Sequence, residues 1–176
     1  MPKIYFITGS SGIGKTTLAP ILKSVLSDGY IVYDFDEKGI PIRAGDKWRQ
    51  ETSCMWLKTA IKNAEKGKST IVVGLSHPDE VMKCQQQFSY EIIFGLLEAD
   101  DATLEKRLYS HRFSSKWRIK ELKKYTGDTP EQFIEKNKDY RKKLRKIADE
   151  HNAFIIDTTN NTPEQIAIKI KNRIEL

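Results

Sequence analysis

The chain is poor in the residues that build staples and metal cages. It has two cysteines, Cys54 and Cys84, in 176 residues. They stand far apart and outside any CxxC pattern, which excludes a disulfide-rich scaffold and a zinc ribbon. The expectation is two ordinary reduced thiols. Three histidines, His77, His111 and His151, are scattered without HExxH spacing, so no zinc site is expected. His77 reads as structural. No apolar run approaches the roughly 20 residues that span a bilayer. No basic stretch followed by a secretory apolar region opens the chain. A cytoplasmic protein with no membrane partner is therefore expected. Hydrophobic content of 39% and charged content of 31% exclude a disordered chain. The length suits one domain, 1–176, with its own core.

Negative charge is in deficit. Thirty Lys and Arg face 24 Asp and Glu, a formal net charge of +6. A basic balance favours anionic ligands, nucleotides and nucleic acids alike. The excess is concentrated between Lys116 and Lys146, where 12 cations face 5 acids. For most of these lysines a solvated helix face is the simpler account.

What the chain does carry is a phosphate cradle. Gly9-Ser10-Ser11-Gly12-Ile13-Gly14-Lys15-Thr16 fits Gly, four residues, Gly-Lys-Thr, and Thr17 follows. Backbone N–H groups can wrap a phosphate chain only where side chains stay away, which the glycines ensure. A strand candidate, Lys3–Thr8, precedes the loop. Leu18, Ile21, Leu22, Val25 and Leu26 follow it at helical spacing, so a helix N-terminus points at the same anion. Lys15 is expected on the β- and γ-phosphates and Thr16 on Mg²⁺. Pro20 should loosen that helix.

Strands are further expected at 30–35, 70–74, 91–97 and 153–157. Helices are expected at about 47–66, 80–88, 102–112, 129–150 and from Thr162 onward. Asp100 or Asp101 caps the third of these, and Thr129 and Thr162 open the last two with Pro and Gln in capping-box order. Phe113–Gly127 is polar, basic and weakly periodic, and reads as a mobile loop. Strand and helix alternate, which gives an α/β domain with a five-stranded parallel sheet between helical layers.

Asp34 and Asp36 end the second strand, two residues apart and so on one side of an extended chain. Ligands bind at that end of open parallel sheets. Phosphoryl transfer needs Mg²⁺ held near the phosphates and an acceptor hydroxyl oriented or deprotonated. One aspartate suits the metal and the other the acceptor. Asp34 is assigned to the metal with Thr16, and Asp36 to the acceptor. Arg107, Arg112 and Arg118 offer charge stabilisation from a closing segment. Arg43, Trp48 and Arg49 lie just beyond the aspartates. An aromatic flanked by arginines suits a base and a phosphate, and a core tryptophan fits equally well. Gly74 ends the third strand, where it admits a ligand or simply makes a turn.

Together GSSGIGKT, Asp34-Phe-Asp36, Val-Val-Gly74 and Arg107-x4-Arg112 resemble the P-loop small-molecule kinases, which include nucleotide, nucleoside, shikimate and gluconate kinases. The resemblance covers nearly the whole chain. It implies ATP as donor, Mg²⁺ as cofactor, sheet order 2-3-1-4-5 and a lid at about 113–127. It also implies Arg107 on the adenine and the loop after Asp157 near the base. The expected activity is transfer of the γ-phosphoryl group to a small-molecule acceptor. Leu75-Ser76 departs from the glycines of shikimate kinases, and the segment Arg43–Gln50 matches no named member. A polynucleotide 5′-end kinase and a non-catalytic nucleotide-binding module are the alternatives. Against a GTP switch, Asn137-Lys138-Asp139 is one residue short of the guanine motif.

Overall fold

The computed structural model describes residues 1–42, 44–84 and 90–175. The strands are β1 (Ile4–Gly9), β2 (Tyr30–Asp34), β3 (Ser69–Val73), β4 (Ile92–Glu98) and β5 (Phe154–Asp157). The helices are α1 (Lys15–Val25), α2 (Asp46–Ala64), α3 (Pro78–Lys83), α4 (Asp101–Arg107), α5 (Lys116–Thr126), α6 (Pro130–Glu150) and α7 (Pro163–Ile174). All strand pairs are parallel and the order is β2-β3-β1-β4-β5, as the resemblance implied.

The central strands are apolar throughout because both faces of the sheet are covered. Successive residues of β1 serve opposite cores. Tyr5 and Ile7 pack with Leu18, Leu22, Ala167 and Ile170, under α1 and α7. Ile4 and Phe6 pack with Trp56, Leu57 and Ala60 of α2. Trp56 is among the largest fully buried side chains, and its indole N–H donates to the Phe35 carbonyl at 2.9 Å. Leu57, Ile61 and Ala64 of α2 are buried as well, and Trp48 packs partly buried against the same core.

Asp100 is the α4 cap, accepting from the Thr103 N–H at 2.6 Å. Capping boxes open α6 and α7 at Thr129 and Thr162. Helix α1 runs on through Pro20.

Two expectations are corrected. Cys54 and Cys84 are not free thiols; they form a disulfide joining α2 to the end of α3. Nor is 113–127 a loop, since residues 116–126 form α5, with Ser115 as N-cap and Gly127 as a left-handed C-cap. Leu122 and Ile119 pack with Leu108, Phe113, Phe133 and Ile134 in a small core of their own. That partner surface comes from other elements, so α5's own sequence showed little periodicity. The expected helix at 80–88 is described as Pro78–Lys83, and its remainder to Phe88 lies outside the described residues. No described helix is long and apolar enough to cross a membrane.

Candidate active site

The loop from Gly9 to Thr17 joins β1 to α1 at the C-terminal edge of the sheet. Gly12 and Gly14 take φ of +82° and +102°, values that side chains resist. Gly14 is the N-cap of α1 without any side-chain cap, so the first amides of that helix stay open toward an anion. Ile13 turns its side chain into the core and offers only backbone to a ligand. Lys15 Nζ donates to the carbonyls of Gly9 at 2.8 Å and Ser10 at 2.7 Å. Loss of water around the ammonium lowers its pKa from 10.5 to about 8, against the pull of Asp36 and Asp34.

A cavity of about 860 Å³ opens over this loop, lined by Ser11, Gly12, Lys15, Thr16, Thr17 and Arg107 among others. A second, of about 710 Å³, lies beyond it, between the start of α2 and helix α5. Asp36, Arg112, Arg118, Arg49, Ile40 and Leu75 line both. Asp36 loses water at this junction, and with Asp34 beside it its carboxyl pKa is raised; Lys15 and Arg112 pull the other way. The Asp34 side chain accepts from the Asp36 N–H at 2.8 Å, which fixes the strand end.

Arg107 and Arg112 reach one cavity because the chain makes a π-helical turn at Leu108–Arg112, closed by the Phe113 N–H to the Leu108 carbonyl. Such a turn brings residues five apart onto one side, and it recurs at functional sites. Arg112 stacks its guanidinium over Phe133, 5.2 Å from the ring centre. Desolvation lowers its pKa, with Asp36 opposing. Arg118 donates to the His111 carbonyl at 2.8 Å. Arg107 donates to the Thr158 hydroxyl at 3.0 Å and carbonyl at 2.7 Å, tying α4 to the loop after β5. Asp157 is exposed and accepts from the Thr159 N–H, which lowers its pKa.

Several sequence-predicted acceptor residues have other work. Arg49 is held by Glu80, with contacts of 2.7 to 3.0 Å, and also by Asp46. Its charge is thus already balanced. Gly74 is a packing glycine: a Cβ there would sit 2.0 Å from Phe35 Cβ, so the absence of a side chain serves the core and not a ligand. Arg43 lies outside the described residues. Trp48 lines the second cavity, edge-on to Phe35 with ring centres 5.9 Å apart.

Asn137 on α6 and Glu80 on α3 were not singled out by the sequence, whereas His77 is structural as expected. Asn137 pins the phosphate loop, accepting from the Ser11 N–H and donating to its carbonyl, each at 3.2 Å. A buried Asn on the apolar face of α6, three residues after Ile134, was the available signal. His77 is buried and hydrogen-bonded to the Tyr140 hydroxyl at 2.5 Å. Desolvation, with help from Arg49, lowers its pKa. Nothing local in the sequence linked Glu80 to Arg49, 31 residues away. Within the basic stretch from 116 to 146 the ion pairs fall on α6, including Lys136–Asp128, Arg141–Asp101 and Arg145 with Glu98 and Asp149.

The donor set fits Mg²⁺ by chemistry: a threonine hydroxyl at Thr16 and carboxylate oxygen at Asp34 are hard ligands, and Mg²⁺ takes few protein groups beside phosphates. Among the described residues no group of three His, Cys, Asp or Glu forms a metal cage of its own.

No family model and no curated protein matches the sequence. Solved structures match along nearly the whole chain. The tunicamycin resistance protein of Deinococcus radiodurans is 18% identical with a TM-score of 0.64, over 100% of this chain and 97% of that one. A shikimate kinase from Acinetobacter baumannii is 17% identical with a TM-score of 0.62, over 99% and 94%. A tRNA isopentenylpyrophosphate transferase from Bacillus halodurans is 12% identical with a TM-score of 0.65, over 99% and 96%. At such identities the likeness carries the architecture alone, a five-stranded parallel sheet of order β2-β3-β1-β4-β5 with helices on both faces.

Proposed function

We propose that the protein is an ATP-dependent phosphotransferase that moves the γ-phosphoryl group to a hydroxyl of a small molecule. The observation that carries this reading is the junction of the two cavities at Asp36 and Arg112. A base and a cation stand where a triphosphate tail on one side would meet an acceptor on the other. The kinase neighbours are consistent with the same chemistry.

In this mechanism the loop amides and Lys15 hold the phosphates, and Arg107 with the loop after Asp157 borders the base. Asp36 accepts the acceptor's proton as its oxygen bonds to the γ-phosphorus. The bond from that phosphorus to the bridging oxygen breaks, and the electron pair leaves with ADP. A raised pKa suits a group that must take a proton near neutral pH. Arg112 and Arg118 offset charge on the transferred group. Thr16 and Asp34 would hold Mg²⁺, which neutralises phosphate charge. The cytoplasm, where ATP and Mg²⁺ are abundant, is the proposed compartment, and its reducing poise would open the Cys54–Cys84 bond there.

The test is transfer of labelled γ-phosphate across nucleosides, nucleotides, sugars, hydroxy-acids and 5′-hydroxyl oligonucleotides. Asp36→Asn is expected to lower kcat about 10²- to 10⁴-fold, with the KM for ATP within about threefold. Acceptor-independent hydrolysis alone, unchanged in that variant, would refute the reading.

A further inference from the structure

The second cavity has an aromatic character that the transfer chemistry does not require. Trp48 forms part of one wall, at the first turn of α2. Trp117 and Tyr125 come from α5, eight residues apart and therefore on one helix face. Neither belongs to the small core that holds α5, which uses Ile119 and Leu122. Trp117 is 64% exposed, so its ring has little protein against it. An indole left open to a cavity is surface that a ligand can cover.

The three arginines of the cavity are already placed. Arg49 is neutralised by Glu80 and Asp46. Arg112 and Arg118 also line the phosphate side. Toward the acceptor's body stand Trp48, Trp117 and Tyr125, with Glu121 and Thr126 the polar side chains beside them. A polyhydroxy acid would find few polar partners there, whereas a flat ring would find faces to stack on.

Resting on the phosphotransferase reading, we infer that the acceptor is an alcohol borne on a flat aromatic ring system, as in a nucleoside, and that Trp48 and Trp117 are its specificity-determining walls. The ring lies against the indoles. The hydroxyl points to Asp36, gives up its proton there, and bonds to the γ-phosphorus as ADP departs.

The experiment uses the full chain with Mg²⁺ and a non-hydrolysable ATP analogue. Adenosine, uridine and tryptophol are titrated against tryptophan fluorescence and thermal shift, with gluconate and shikimate as non-aromatic comparators. Turnover is then measured with ATP. At least one aromatic alcohol is expected to bind and accept phosphate with a KM at least about tenfold below either comparator. Trp117→Ala should raise that KM about tenfold, Trp117→Phe should restore most of it, and the KM for ATP should not move. Phosphorylation of gluconate or shikimate in preference, an unchanged KM in Trp117→Ala, or no binding by any of the three aromatic alcohols overturns the inference while leaving phosphotransfer standing. Aromatic binding that is lost in Trp117→Ala, without any phosphorylated product, upholds the aromatic site and overturns phosphotransfer.

Discussion

Lys15 is a charge held where water is scarce. Its pKa near 8 means that the folded protein binds fewer protons there than the unfolded chain, whose lysine titrates near 10.5. The penalty is full below pH 8 and fades as pH rises from 8 toward 10.5. Above pH 10 Tyr5 works the other way, because burial raises its pKa to about 12 and the unfolded chain ionises first. Lys15→Met should therefore be more stable than the parent at pH 7, by roughly 1 to 3 kcal/mol. The gap should shrink to about a quarter by pH 10, and transfer should be abolished. Denaturant unfolding at pH 7, 8.5 and 10 measures it, and a gap that does not vary with pH would refute the account. The loop itself was legible because phosphate binding fixes glycine, lysine and threonine at set spacings. Asn137 was not, because its role depends on a helix 126 residues away meeting Ser11.

Helix α5 is the least anchored of the site's walls. It follows the π-helical turn, and its apolar contacts run to the small core around Leu108, Phe113 and Ile134, apart from the clusters that flank the sheet. Truncating the buried Leu122 should cost about 2 to 5 kcal/mol where it acts. Leu122→Ala is expected to speed amide exchange over residues 116–126 at least about tenfold while sheet amides hold. Transfer should fall and loss of phosphate to water should rise, since a loosened wall admits solvent. Equal loss of protection in β1 and β3 would show that α5 is part of the main cooperative unit. A sequence reading sees Trp117, Ile119, Leu122 and Tyr125, off any single helical stripe, among five Lys and Arg in these eleven residues. The apolar partners that make the helix worth forming are distant in the chain, which is why a loop was expected.

For the whole molecule, the alternation of strand and helix was plain because both sheet faces are buried and the strands carry no polar side. Sheet order came from resemblance, since apolar runs do not announce their neighbours. The cysteine pairing was hidden for a related reason: two positions 30 residues apart become adjacent only once α2 and α3 pack. A cross-link closing a loop of that length is worth about 3 to 4 kcal/mol. Reduction should lower Tm by roughly 10 °C. Thiol titration of the native, unreduced chain should detect no free cysteine; finding two would refute the pairing.

That cross-link also divides the cleft mechanically. Trp48, Arg49 and Glu80 sit on the two helices that it joins, while Trp117 and Tyr125 sit on a helix held by a small apolar core and the Arg118–His111 hydrogen bond. The cleft is thus a vice with one fixed jaw, and whatever travel closure requires falls to α5. In a reducing solution both jaws gain play, and the grip on an acceptor loosens from the side that was meant to stand still.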